Sequence, residues 1–535
     1  MAKQESFISL SGIDLDRASP KPLHRQLYEA LRTMTLAGQL PAGSRLPPTR
    51  ALSQELAISR STIVNAFDQL MAEGYLEGKV GAGTFVSEAL PEEMLTVSRY
   101  SVDQHSVGGL EPIEEGYLSK RGRQMVGNPI RDDACLRAFT PGVPETNFFP
   151  FGVWRRLLNK HWDAPTPTQL TYGMAAGYLP LRQAIADYVQ MARGVRCTAE
   201  QVIIVSGSQQ GLHLTVQLLT DAGDAAWIED PGYKGTQAVF LGAGLDVTPV
   251  PVDAQGLRVD DGLRHCPHAR IVYTCPSHQY PAGVTLSLAR RMQLLSWAQQ
   301  TGAWILEDDY DSEYRFADHP LASLQGLAHS HMPHSHLPHS HLPHSHLPHS
   351  HINGHSIQKN SPANQVIYLG TFSKVLFPAL RLGYMIVPPA LSEAFATARR
   401  YIDRGSPIVT QMALTDFING GHFARHIRRM RTLYACRQQV LIESIAEHCG
   451  DWVTTRAAPA GLHLVGWLQD DLDDVSVSET LHDAGIDAPS LSSYRIAKTG
   501  NQEGGLVMGY AALDEGVIRA SVKKIGTVLR DIRRP

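Results

Sequence analysis

Cysteine is scarce in these 535 residues: Cys135, Cys197, Cys266, Cys275, Cys436 and Cys449 are scattered, with no Cys-x-x-Cys pair. A chain this long does not need disulfide staples, so the pattern predicts reduced thiols in a cytoplasmic protein. There is no run of about 18 apolar residues, and the amino terminus carries Glu5, Asp14 and Asp16 in place of an apolar leader core. Membrane insertion and secretion are therefore not expected. Strong charge of one sign is also missing. The formal net charge is −4, which excludes a polycation and requires any nucleic-acid contact to come from a local basic surface. With 43% hydrophobic residues, the chain has enough apolar material for two or three domains.

One local basic segment exists. From Arg17 to Ser87 there are eight Lys/Arg and five Asp/Glu, a balance of 8 − 5 = +3. Leu23, Leu27, Leu31 and Met34 recur at helical spacing after Pro22, and Gly38 follows the helix. Leu52 and Leu56 mark a short helix. A further helix starts at the N-cap Ser59 and runs through Ile63, Phe67, Leu70 and Met71 to Gly74. Two short strands, Tyr75 to Gly78 and Gly81 to Val86, form a wing. Residues 17–88 thus read as a winged helix-turn-helix. Arg60, Ser61 and Thr62 open its recognition helix near base edges, and Arg50 and Lys79 are candidates for DNA phosphates or the minor groove. The segment resembles the GntR-type winged helix. Pro48 departs from that pattern, where serine is more usual, and removes one donor to phosphate.

Residues 89–130 lack sustained apolar periodicity and read as a linker, which as a flexible coil would span about 35 Å. From 131 to 535, β-branched runs alternate with helical stretches: Val202–Val205, Ile271–Thr274, Trp304–Leu306 and Val366–Leu369. That alternation predicts an α/β domain with a mainly parallel sheet and helices on both faces, its ligands at the carboxyl ends of the strands.

Three clusters fall at such ends. Gly207, Ser208 and Gln209 lie between a strand and a helix, where backbone N–H groups cradle phosphate, although Gly-Ser at such a junction is also a common turn. Asp308 and Tyr310 sit in an acidic run, Glu307 to Asp311. A carboxylate there serves a pyridine nitrogen and a phenol serves the ring oxygen; taken alone, the run equally suits a divalent metal. Lys374 follows Val366–Leu369, flanked by Thr371, Ser373 and Arg381, which suit a phosphate dianion beside an imine-forming lysine. All three clusters lie in order on one sheet, and that decides between these alternatives.

These residues resemble fold-type I, class I/II aminotransferases. With the amino-terminal segment, the chain resembles the MocR/GabR subfamily of GntR-type transcriptional regulators over nearly its full length. The resemblance implies pyridoxal 5'-phosphate as cofactor, on a Lys374 Schiff base, with Asp308 at the pyridine nitrogen and Tyr310 at the ring oxygen. It further implies Tyr233 stacked on the ring and Gly207, Ser208, Gln209, Thr371, Ser373 and Arg381 around the phosphate. Tyr172 would reach the phosphate of the other subunit in a head-to-tail homodimer, and a smaller α+β subdomain would span about 400–535. Two departures favour binding over turnover. The aminotransferase Asn-Pro-Thr-Gly run is replaced by His278-Gln279-Tyr280-Pro281-Ala282-Gly283. The carboxylate-binding arginine is also missing from Leu506–Tyr510, leaving Arg495 as the substitute the sequence offers.

Residues 329–356 form a histidine-rich insert with a five-residue His-Ser-His-Leu-Pro period, and eleven of the 24 histidines lie between His329 and His355. Proline at every fifth position forbids a helix, so the insert reads as a solvated surface expansion. Its imidazoles also suit nickel, zinc or copper, but nothing supplies the second shell of a dedicated metal site. The expectation is a cytoplasmic regulator of promoter DNA whose effector is pyridoxal phosphate, an amine or an amino acid. The alternative is an active aminotransferase with a DNA-binding appendage.

Overall fold

The structure, a computed structural model, describes residues 10, 13–17, 19–79, 83–87, 117–127, 137–316, 321–330, 365–469, 471–497 and 503–533. Contacts divide the chain into two units, Met1–Pro112 and Ile113–Pro535.

In the first unit, helices α1 (Leu23–Leu36), α2 (Thr49–Glu55) and α3 (Arg60–Ala72) precede strands β1 (Leu76–Lys79) and β2 (Gly83–Val86). Ser59 caps α3, its side chain accepting from the Thr62 backbone N–H. The apolar stripe of the sequence becomes the core: Leu27, Leu31, Leu52, Ile63, Phe67 and Leu70 are all buried. β1 and β2 pair antiparallel, with Leu76 opposite Val86. Gly81 and Ala82, read as wing, lie outside the described residues.

The second unit is built on an eight-stranded sheet in the order β3-β10-β9-β8-β7-β4-β5-β6. Its strands are β3 (Val202–Val205), β4 (Ala225–Asp230), β5 (Asp246–Asp253), β6 (Gly256–Leu257), β7 (Ile271–Thr274), β8 (Trp304–Asp309), β9 (Val366–Thr371) and β10 (Gly383–Ile386). The stretch β9-β8-β7-β4-β5 is parallel, whereas β10 and β6 run antiparallel to their neighbours. β3, β7, β9 and β10 are buried at every position, as strands covered on both faces must be. A three-stranded antiparallel sheet, β11 (Val453–Thr455), β12 (His463–Leu468) and β13 (Gly505–Gly509), packs with the helices His422–Cys449 and Glu515–Ile532.

One element falls where the sequence reads a linker. Within the stretch read as linker, Lys120–Val126 is a helix capped by Ser119, and it packs on the helix Lys234–Ala243. Met125 rests against Gly242 and Arg121 beside Gly244. Seven residues with none buried leave no apolar stripe to read, so periodicity could not reveal it. The carboxyl-terminal residues also share their core with the start of the domain, since one apolar cluster joins Phe139, Trp154 and Leu181 to Phe417, Leu441 and Leu529. The histidine-rich insert falls, from 331 onward, outside the described residues.

Candidate cofactor site and DNA interface

A cavity of about 220 Å³ opens at the carboxyl ends of the parallel strands. It is lined by Gly207, Ser208 and Gln209 after β3, Tyr233 after β4, Cys275 after β7, Asp308 and Tyr310 around the end of β8, and Thr371, Ser373, Lys374 and Arg381 after β9. The three sequence clusters therefore meet. Lys374 and Asp308 converge although they stand 66 positions apart, because β8 and β9 are adjacent and Asp308 stands opposite Leu369.

Lys374 donates through Nζ to the Gly142 carbonyl at 2.8 Å. Burial pulls its pKa below the ordinary lysine value, opposed by Asp311 and Asp308. Asp308 accepts from the Tyr273 hydroxyl at 2.9 Å through one oxygen, while the other, Oδ1, is buried without a partner. Burial pushes the Asp308 carboxyl up to about 7, despite the Tyr273 hydrogen bond. Opposite, Gly207 begins the helix Ser208–Leu219 at φ 141, and a Cβ there would stand 3.9 Å from the Arg381 guanidinium. Arg381 adopts a left-handed backbone, φ 49 and ψ 45, with its guanidinium beside the amino terminus of that helix. Gln209 donates to the Tyr233 hydroxyl at 3.1 Å.

Alternation along β8 separates the acidic run. Asp308 faces the cavity. Glu307 accepts from the backbone N–H groups of Leu324 and Gln325 at 2.8 and 3.0 Å, and Asp309 pairs with buried Arg193 at 2.6 Å. Glu307, Asp308 and Asp309 thus point to different partners and do not gather into one cluster, while Asp311 turns to His278. Among the described residues, the one grouping with ligand-like spacing is His278, Asp311 and His463, all buried.

Two expected residues lie elsewhere. Arg495 does not line this cavity. It lines another one with Asp230, Arg456, Trp467 and Glu503, and donates to the Glu503 carbonyl at 2.8 Å. Tyr494 bonds Tyr280 at 3.0 Å toward the cofactor cavity, and Asp230 holds the backbone of Ile496 and Ala497, so Arg495 is turned away. Tyr172 is 75% exposed, with the Arg404 guanidinium 4.3 Å from its ring centroid. Pro141, Gly142, Tyr273, Cys275 and Tyr280 line the cavity without having been singled out in the sequence. Tyr273 carried one signal, a phenol inside the apolar run Ile271–Thr274, but its place beside Asp308 follows only from the pairing of β7 with β8.

In the first unit, Arg50, Arg60, Ser61 and Lys79 are exposed and Thr62 half-buried. Ser59 Oγ lies 2.8 Å from Ser61 Oγ and 2.7 Å from Thr62 Oγ1, grouping three hydroxyls at the start of α3. Arg60 Nε reaches Thr49 Oγ1 at 3.3 Å, which ties the recognition helix to the start of α2. The Lys79 ammonium sits 5.1 Å from the Phe85 ring centroid in the wing.

Residues 23–86 match the family of bacterial regulatory proteins of the gntR type, and residues 145–470 match aminotransferase class I and II. The sequence is 37% identical over 512 residues to the probable rhizopine catabolism regulatory protein MocR of Rhizobium meliloti, covering 96% of this chain and 94% of that one. The chain belongs to the MocR/GabR subfamily of GntR-type transcriptional regulators. Another such regulator, the pyridoxine biosynthesis transcriptional regulator PdxR of Corynebacterium glutamicum, is 31% identical across 95% of this chain and 96% of its own. Two solved structures share the fold of the larger unit. Kynurenine aminotransferase of Pyrococcus horikoshii has a TM-score of 0.63 at 23% identity, over 75% of this chain and 92% of its own. LysN, the α-aminoadipate aminotransferase of Thermus thermophilus, has a TM-score of 0.63 at 24%, over 74% and 92%. This MocR-type chain is a DNA-binding transcriptional regulator, and the cofactor of its aminotransferase-like domain is pyridoxal 5'-phosphate. The site fits that group. A partnerless buried Asp308 oxygen suits a pyridinium N–H, a buried lysine faces the same space, and an arginine beside a helix N-terminus suits a phosphate.

Proposed function

We propose that this regulator senses pyridoxal phosphate itself, or an amine or amino acid that reacts with it, through the residues of this cavity. Lys374 would bond to the cofactor aldehyde. Asp308 Oδ1 would accept from the pyridine nitrogen, Tyr310 would donate to the ring oxygen, and Tyr233 would stack on the ring. Gly207, Ser208, Gln209, Thr371, Ser373 and Arg381 would hold the phosphate. When bound, the cofactor supplies an electrophilic carbon that an effector amine can exchange onto. Burial favours a neutral Lys374, the nucleophilic form.

The observation that carries this reading is the pairing of a buried lysine with a partnerless carboxylate oxygen across one cavity. Arg495, in its separate cavity, has no part in it. The exposed apolar residues Trp162, Leu170, Tyr172 and Met174 support a homodimer in which Tyr172 reaches the partner's phosphate. Arg60, Ser61 and Thr62 would read base edges while Arg50 and Lys79 hold DNA phosphates, each subunit taking one operator half-site. The unpaired state of the described cysteines agrees with a cytoplasmic location.

Saturating the full-length protein with pyridoxal phosphate should give a visible absorbance band that Lys374→Ala abolishes. No band in the wild-type protein would refute the placement. Promoter affinity should fall about tenfold in Arg60→Ala, the scale of one lost bidentate base contact. Sustained conversion of an amino acid and a keto acid over many turnovers would favour the aminotransferase reading instead.

A further inference from the structure

His278 is 2% exposed and stands directly behind the cavity wall. Its Nδ1 lies 2.9 Å from Asp311 Oδ2 and 3.0 Å from the Tyr310 hydroxyl. A carboxylate neighbour calls for a proton on Nδ1, so that single N–H is shared between Asp311 and the Tyr310 oxygen. The Tyr310 proton is then left for an acceptor on the other side, and that side is the cavity. Hydrogen bonds in such a chain polarise one another, making the phenol a better donor.

The imidazole is held from behind as well. Gly461, at φ +99, passes so close that a Cβ there would stand 2.1 Å from the His278 ring. His463 packs with its ring centroid 5.1 Å away, fixed by a 3.1 Å hydrogen bond between its Nε2 and the Pro281 carbonyl. His278 lies in the stretch that departs from Asn-Pro-Thr-Gly, so the support for Tyr310 comes from outside that aminotransferase pattern.

We propose that His278 and Asp311 form a positioning pair that fixes the Tyr310 phenol as a hydrogen-bond donor toward the ring oxygen of bound pyridoxal phosphate. The proposal rests on the cofactor placement given above. The titratable groups facing Tyr310 are Asp311, Cys275, Tyr280, Asp308 and His278, and those facing Lys374 include Asp311, Asp308 and His463. A donor at the ring oxygen stabilises the form in which the nitrogen joining Lys374 to the cofactor has lost its proton, because that form carries more negative charge on the oxygen. Removing the donor therefore raises the pH at which this proton leaves.

The test is a pH titration of the visible band in full-length protein loaded with pyridoxal phosphate. His278→Phe, which keeps a ring under Gly461 but cannot donate from it, should raise the midpoint by roughly one pH unit, the scale of one hydrogen bond to a charged group. His278→Asn restores an N–H near the Nδ1 position and should bring the midpoint back toward wild type, which a merely space-filling role would not do. Should His278→Phe fail to fold, His278→Leu reports the same shift. An intact band with an unchanged midpoint in these apolar variants would overturn the pair and leave the cofactor placement standing. No band in the wild-type protein would remove both. A wild-type midpoint that moves after chelator treatment would instead assign His278, Asp311 and His463 to a metal ion, and would also overturn the proposal.

Discussion

At the scale of single residues, Asp308 shows how burial prepares a site. Its folded pKa is raised from 3.8 to about 7, so in the cofactor-free protein it keeps a proton that the unfolded chain has released. The stability this confers is fully present below about pH 4 and is lost as pH rises through about 7. Asp308→Asn should therefore flatten the decline in melting temperature of the cofactor-free protein between about pH 4 and 7; a slope equal to wild type would contradict the assignment. Gly235 makes a second residue-scale case. A Cβ there would stand 2.2 Å from the Gln209 amide and 2.6 Å from the Tyr233 ring, so Gly235→Ala must break the contact between them. A several-fold weaker affinity for pyridoxal phosphate, read by titrating the visible band, is expected. Nothing in the sequence marks this glycine, because Gln209, which it must leave room for, comes from another strand–helix turn.

Elements explain how the chemistry is sorted. β8 alternates, sending Asp308 to the cavity while Asp309 goes to Arg193 and Glu307 to the turn at Leu324. A run that suited a metal equally well in sequence is thus divided by the strand's own period. In the first unit, Ser59 holds the amino terminus of α3, and Ser59→Ala should cost about 1 kcal/mol in the stability of that unit. Promoter affinity should fall with it, because the same hydroxyl groups Ser61 and Thr62. Thermal melting followed with promoter titration checks both, and full affinity would show that the cap does not position the contacts. Arg495 makes the converse point. Its side chain was a reasonable carboxylate partner by type, but the turn Leu491–Tyr494 sends Tyr494 inward and the arginine out.

At the scale of the whole molecule, the histidine-rich insert and Lys374 lie on opposite sides of β9 along the chain. The insert precedes β9, which starts at Val366, whereas Lys374 follows its far end. Deleting residues 331–356 from the full-length protein should leave the visible band, its Lys374 dependence and promoter affinity unchanged; loss of any of these would tie the insert to sensing.

The sequence alone determined the winged helix almost to the residue, because α1 and α3 declare themselves through apolar period and caps, and the wing through its glycines. It also determined the α/β class and put Lys374, Asp308 and Tyr310 at strand ends, where they line one cavity, because parallel strands are apolar runs and ligands bind where they end. Only the tertiary structure placed Tyr273 against Asp308, His278 behind Tyr310 and Arg495 in another cavity. Those relations depend on which strand ends and turns become neighbours, 35 and 32 residues apart for the first two and 214 for the turn beside Arg495, and no local pattern records that. The helix at Lys120–Val126 has the same explanation: what holds it is a distant surface, not a stripe of its own.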